Sequence, residues 1–186
     1  MQGKILNDVE IIDNFCSEQE HKEILSLLSG NNFPWFWENY ILGYDENYVV
    51  GHDDEINDNS EWQFQHYFYG NNEIRSPHYN IIAKYILSKI PKITSVIRIK
   101  ANLNPFTGKQ NFKNLFHTDQ PFLNHREVIK SAIYYVNTNN GYTLFEDGTK
   151  IKSVANRIII FPEYLKHTGV ESINTKQRLV INLNYI

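Results

Sequence analysis

One run of alternating residues constrains this chain more than any other. Ile97, Ile99, Ala101 and Leu103 alternate with Arg98, Lys100, Asn102 and Asn104. Successive strand side chains point to opposite faces, so the run predicts a β-strand with one apolar and one polar face. The apolar face suits cover by helices, and the polar face suits a wet interior that binds polar ligands. The same grammar continues to the end of the chain. Lys130 to Asn137 reads as a strand, and Tyr142 to Glu146 as a hairpin strand between the turn signals Asn139-Asn140-Gly141 and Asp147-Gly148. Ile158 to Phe161 is fully apolar and ends at Pro162, and Gln177 to Ile186 alternates again. Short strands and turns from Ile93 onward favour a sandwich or double-sheet jelly roll.

The first half mixes helices with strands. Lys4 to Asn14 alternates loosely and predicts a first strand. Ser17-Glu18-Gln19-Glu20 is a capping box, Ile24, Leu25, Leu27 and Leu28 form one apolar stripe, and Gly30 fits the position after a helix. Phe33 to Leu42 is dense in aromatics, with Trp35, Phe36, Trp37 and Tyr40 able to line a substrate mouth or to pack a strand edge. Residues 43–61 are acidic and poor in apolar side chains, which suits a loop or lid. Trp62 to Tyr69 alternates again, with His66 on the aromatic face as a core or rim histidine. Ser76-Pro77 reads as a helix cap and first position, with Ile81, Ile82, Tyr85, Ile86 and Ile90 at helical spacing and Pro91 as the stop. The expectation is one domain over 1–186, in which 1–92 is a mixed support and 93–186 the jelly-roll core, with the helices packed on the major sheet.

Bulk properties narrow the function classes. A net charge of -3 with no Lys/Arg stripe argues against nucleic acid or an anionic membrane as partner. Cys16 is the single cysteine, which excludes an intrachain disulfide and suits a reducing compartment. No apolar run reaches the roughly 18 residues of a spanning helix, and Met1-Gln2-Gly3-Lys4 leads into alternation rather than a signal peptide. The expectation is a cytoplasmic protein. Abundant Asn, Ile and Lys suit an AT-rich microbial or viral gene, and for a viral chain the host cytoplasm.

The chemistry concentrates at Leu115-Phe116-His117-Thr118-Asp119. On a strand His117 and Asp119 share a face, offering an imidazole and a carboxylate to a divalent metal, and His167 is the candidate third ligand. Two His and one carboxylate on one side of an iron leave the opposite positions open. A His-x-Asp or His-x-Glu pair is common, and this chain has three, at His52, His117 and His125. The His52 pair sits among acids and Asn, without a strand pattern and without the Gly and closing Glu of an EF-hand loop. What raises the His117 pair is its strand context and the last strand, where Arg178, Val180 and Asn182 share the face opposite Leu179, Ile181 and Leu183. A buried guanidinium there needs an anion.

His117-Thr118-Asp119, His167 and Arg178 together resemble the ligand and co-substrate motif of the 2-oxoglutarate- and Fe(II)-dependent dioxygenases, closest to the prolyl-4-hydroxylase-like branch. Ile133-Tyr134-Tyr135-Val136-Asn137 and Asn156-Arg157-Ile158-Ile159-Ile160-Phe161-Pro162 are similar to strands of that branch, and the match runs from Ile97 to Ile186. The resemblance implies a double-stranded β-helix of cupin-like jelly-roll type. It implies Fe(II) held by His117, Asp119 and His167, with 2-oxoglutarate and dioxygen as co-substrates and ascorbate as a candidate reductant. Arg178 would grip the distal carboxylate of 2-oxoglutarate with help from Tyr135. Asn102 or Asn104 stands where the branch often has a Tyr, and Thr143 and Val180 would line the pocket. The implied reaction is hydroxylation of a peptidyl residue such as proline, or of a small molecule, with succinate and carbon dioxide formed. Two other readings stand beside it: nucleobase oxidation on the same scaffold, and a metal-bearing jelly-roll binding module without activity.

Overall fold

Two antiparallel sheets carry the chain. In the computed structural model, which describes residues 3–38, 62–108, 116–120 and 126–186, the larger sheet has nine strands and the smaller has three. The strands are β1 (Lys4–Leu6), β2 (Val9–Ile12), β3 (Phe36–Glu38), β4 (Gln63–Gly70), β5 (Glu73–Ile74), β6 (Val96–Pro105), β7 (Lys130–Tyr135), β8 (Tyr142–Phe145), β9 (Lys150–Lys152), β10 (Arg157–Pro162), β11 (His167–Val170) and β12 (Gln177–Tyr185). The large sheet runs β1-β2-β10-β7-β12-β6-β4-β3, with β5 on β4, and the small sheet runs β11-β8-β9. The predicted acidic lid, the His52 pair, Leu115 and His125 lie outside the described residues.

Two apolar layers hold the sheets and helices together. Ile24 and Leu28 of α1 (Glu18–Ser29) and Ile82 of α2 (Tyr79–Tyr85) pack with Ile99, Ala101, Leu179, Ile181 and Leu183 on one face of the large sheet. On the opposite face Ile133, Tyr135, Ile159 and Val180 meet Phe145 and Ile151 of the small sheet. Each such buried aliphatic side chain contributes about 1.5–3 kcal/mol relative to exposure. The period-two alternation of β6 and β12 therefore has its expected outcome: apolar residues under the helices, polar residues between the sheets. This is a double-stranded β-helix with helices on the major sheet.

Several local expectations need correction. The first strand is two, because Asn7 and Asp8 take left-handed φ values of 47° and 65° and close a tight hairpin between β1 and β2. The capping box forms, with Ser17 Oγ accepting from the Glu20 N–H at 3.3 Å and the Ser17 N–H donating to the Glu20 carboxylate at 2.8 Å. Gly30 ends α1 in extended backbone (φ -70°), so its value lies in space and not in left-handed freedom: a Cβ there would stand 3.0 Å from the Ser26 carbonyl. The second helix starts at Tyr79 rather than Pro77, since Ser76 Oγ accepts from the His78 N–H at 3.1 Å and closes a turn first. His66 is a core histidine, bonded to the Pro34 carbonyl and to Ser76 Oγ, each at 2.8 Å. Of the predicted mouth, Trp35 turns inward to the Leu28 carbonyl, while Phe36 and Trp37 stay exposed.

Candidate metal centre

His117 and Asp119 reach one side by a different route from the expected strand. His117 forms an isolated antiparallel bridge with His167. Each backbone N–H donates to the other's carbonyl, at 3.1 and 3.0 Å. Asp119 lies beyond that bridge in a bend, where the Gln120 N–H donates to the buried Glu163 carboxylate at 2.8 Å. The ligand atoms of His117, Asp119 and His167 nonetheless lie within 4.8 Å of one another, and among the described residues this is the one cluster with metal-ligand chemistry.

Neighbouring groups orient His167 and Asp119. His167 Nδ1 stands 3.2 Å from the Leu165 carbonyl, which only accepts, so Nδ1 carries the proton and Nε2 keeps its lone pair for a metal. Phe161 meets the same ring edge-on at 4.9 Å between centroids, and Phe145 lies 5.9 Å away. Asp119 accepts from Arg98 Nη2 on Oδ1 at 2.8 Å, and from Ser131 Oγ and Asn184 Nδ2 on Oδ2 at 3.1 and 3.0 Å. Burial works to raise the Asp119 carboxyl, but the Arg98 guanidinium, with the two imidazoles and Asn184, overrides it and holds the group well below the usual carboxylate range. Two imidazole nitrogens and one carboxylate oxygen, kept ionised in a buried setting, fit a divalent first-row metal.

The predicted co-substrate residues gather on the same interior face of the large sheet. Strand pairing aligns Arg178 with Asn104, and Val180 with both Asn102 and Tyr135. Arg178 is 4% exposed, and its Nε donates to Ser153 Oγ at 3.1 Å. Among the described residues no carboxylate stands within ion-pair distance of it, and burial lowers its pKa against the pull of Tyr135 and Glu171. Its guanidinium carbon lies 5.9 Å from the centroid of the Tyr135 ring, whose hydroxyl donates to Thr143 Oγ1 at 2.7 Å. Burial pushes the Tyr135 phenol up to about 12, so it remains a donor. Tyr134 faces the other way, bonding Asn156 Oδ1 at 3.0 Å on the helix side. Asn104 is buried, and Asn102 has a buried Oδ1 without a partner.

The comparisons follow the geometry. No protein-family model and no curated sequence matches the chain. Solved structures do. A prolyl hydroxylase from Trichoplax adhaerens, in complex with a hypoxia inducible factor oxygen degradation domain peptide, matches 97% of this chain and 84% of its own at 18% identity and TM-score 0.64. The viral collagen prolyl hydroxylase of Paramecium Bursaria Chlorella virus-1, in its 2-oxoglutarate complex, matches 96% of both chains at 15% identity and TM-score 0.53. A 2OG-Fe(II) oxygenase family oxidoreductase from Burkholderia pseudomallei matches 96% of this chain and 85% of its own at 9% identity and TM-score 0.63. This chain has the 2-oxoglutarate oxygenase fold.

Within that fold, sequence reasoning missed the shell around Asp119. Arg98, Ser131 and Asn184 belong to three different strands, and Arg98 Nε also donates to Asn184 Oδ1 at 2.9 Å across 86 residues of chain. Their one signal was a polar residue on the polar phase of a strand. No helix among the described residues is long and apolar enough to cross a membrane.

Proposed function

We propose that the chain is an Fe(II)- and 2-oxoglutarate-dependent dioxygenase that hydroxylates a peptidyl residue such as proline, or a small molecule, while 2-oxoglutarate is converted to succinate. One observation carries this reading: three convergent side chains able to hold a metal, and on the same interior face a buried arginine with no carboxylate partner among the described residues. His117, Asp119 and His167 would hold the iron, and Arg178, with Tyr135 beside it, would hold the distal carboxylate of the keto acid. Val180 and Asn102 line the face between, and Asn104 stands beside Arg178. The iron would supply activation of dioxygen coupled to decarboxylation of the bound keto acid. The protein's own part is positional. The Leu165 carbonyl sets the His167 tautomer, Arg98, Ser131 and Asn184 keep Asp119 ionised and aimed, and Phe145 and Phe161 exclude water from the His167 side.

A peptide substrate is supported by the peptide-bound prolyl hydroxylase among the structural neighbours and by a groove along β4 of the large sheet. The groove has a volume of about 480 Å³ and is lined by Phe36, Gln65, Tyr67 and Arg75 among others. Exposed aromatic rings suit the ring faces of proline-containing segments. Cys16, buried against the Tyr85 carbonyl at 3.3 Å, supports a cytoplasmic site of action, as does the need to keep iron ferrous.

The test is anaerobic addition of 2-oxoglutarate to Fe(II)-loaded protein, watched for its visible charge-transfer band, with Arg178→Ala and His167→Ala alongside. A band in the wild type that is weakened in both variants supports the reading. Folded, iron-loaded protein with no band would replace it by a metal-bearing binding module. Succinate release on addition of proline-containing peptides, compared with free amino acids, separates the substrate classes.

A further inference from the structure

The interior face of the large sheet has a third buried cation that the reading above leaves unused. Strand register orders this face in rows. Arg98, Asn184 and Ser131, which hold Asp119, form one end, and Asn104 with Arg178 forms the other. Lys100 and Asn182 are register partners in the row next to the Asp119 end, and Asn102 with Val180 fills the row beyond. A ligand joining the proposed metal ligands to Arg178 along this face crosses the row of Lys100, Asn182 and Ile133.

Lys100 is 8% exposed, and among the described residues it makes no hydrogen bond or ion pair; its Nζ stands over the Tyr67 ring, 5.8 Å from the centroid. Its two polar neighbours are equally unsatisfied, since Asn102 Oδ1 and Asn182 Oδ1 are both buried without partners. Buried polar groups in a folded protein are ordinarily paired, and an unpaired buried ammonium is among the costliest exceptions. The nearby acids are engaged: Asp119 by Arg98, and Glu38 by the Gln65 amide.

We propose that Lys100 is the second carboxylate-binding cation of this site, receiving the carboxylate next to the keto group of 2-oxoglutarate while Arg178 receives the distal one. The assignment rests on the dioxygenase reading above. A keto acid with two carboxylates matches an interior with one cation near the metal ligands and another at the far end. The state of the ammonium agrees: burial, then Arg98, pushes it down to about 7 against Asp119 and Glu38, so an incoming anion is what restores its charge.

The experiment titrates two ligands, anaerobically and at fixed pH, into Mn(II)-loaded protein by calorimetry: 2-oxoglutarate, and 2-oxopentanoate, which keeps the keto-end carboxylate and lacks the distal one. The proteins are wild type, Lys100→Met, Lys100→Arg and Arg178→Ala, each checked by circular dichroism and by its Mn(II) affinity. Lys100→Met is expected to weaken both ligands about tenfold or more, while Lys100→Arg stays within a few-fold of wild type. Arg178→Ala is expected to weaken 2-oxoglutarate alone. Wild-type affinity of Lys100→Met for both ligands, or a loss confined to 2-oxoglutarate, overturns the Lys100 assignment and leaves the dioxygenase reading standing. Metal-loaded wild type that binds neither ligand overturns both.

Discussion

Arg98 and Asp119 form a largely buried ion pair, with Nη2 donating to Oδ1 at 2.8 Å and side chains only 17% and 7% exposed. The pair joins the first strand of the jelly-roll core to the loop that presents the proposed metal ligand Asp119. Arg98→Met should therefore weaken Mn(II) or Fe(II) binding about 10–100-fold, the usual range for a partner of a metal ligand. Arg98→Lys should recover part of that affinity. Equal metal affinity in wild type and Arg98→Met, measured by competition with a chelating dye, would show that Ser131 and Asn184 suffice.

Gly141 is a matter of space around Arg178. A Cβ there would stand 2.7 Å from the Val170 carbonyl and 2.9 Å from Arg178 Cδ. Gly141→Ala should displace the guanidinium and raise the dissociation constant for 2-oxoglutarate about tenfold, leaving metal affinity unchanged. Gly148→Ala is the control. Gly148 has a φ of 86° with open space around it, so its substitution should cost stability of about 1 kcal/mol and spare 2-oxoglutarate.

Lys100 should oppose folding in a pH-dependent way. Burial brings its pKa from 10.5 down to about 7, so between those values the unfolded chain binds more protons than the native state. Its penalty is full below pH 7 and fades as the pH rises toward 10.5. Lys100→Met should accordingly be more stable than wild type near pH 7, by about 1–3 kcal/mol, and the gap should narrow by pH 9. Urea unfolding of both proteins at pH 6, 7, 8 and 9 measures this, and a constant gap would contradict it.

Asn156 ties the entry of α1 to the large sheet. Its Oδ1 accepts from the Cys16 N–H at 2.8 Å and from the Tyr134 hydroxyl at 3.0 Å, its Nδ2 donates to the Cys16 carbonyl at 2.8 Å, and its φ is 61°. Asn156→Ala leaves the Cys16 N–H and carbonyl without their side-chain partner, while the Tyr134 hydroxyl keeps His21 Nδ1 at 2.7 Å, and it puts alanine in a left-handed position, with an expected loss of about 2–4 kcal/mol. Because Asn156 is on the helix side, metal affinity of the folded fraction should stay at the wild-type level. Thermal melts and metal titration separate the two effects.

Much of the architecture was legible before any coordinates, because strand alternation is a local property. The period of two in Ile97 to Asn104 and in Arg178 to Leu183 told which residues meet the helices and which face the interior, and β6 and β12 obey it. The convergence of His117, Asp119 and His167 was legible too, although the strand expected to carry Asp119 is a bend. The second helix starts at Tyr79 instead of Pro77 for a local reason, a side-chain turn at Ser76 that outcompetes the first helical positions.

What lay beyond local pattern was register. Arg98 is 86 residues from Asn184 and 21 from Asp119, and the network joining them exists because β6 pairs with β12 in one alignment and the loop after His117 folds onto both. A shift of one residue would turn Lys100 and Asn182 under the helices. Alternation identified the polar face. The long-range pairing of strands placed its cations at opposite ends of one site, since only burial of both apolar layers at once selects a single alignment.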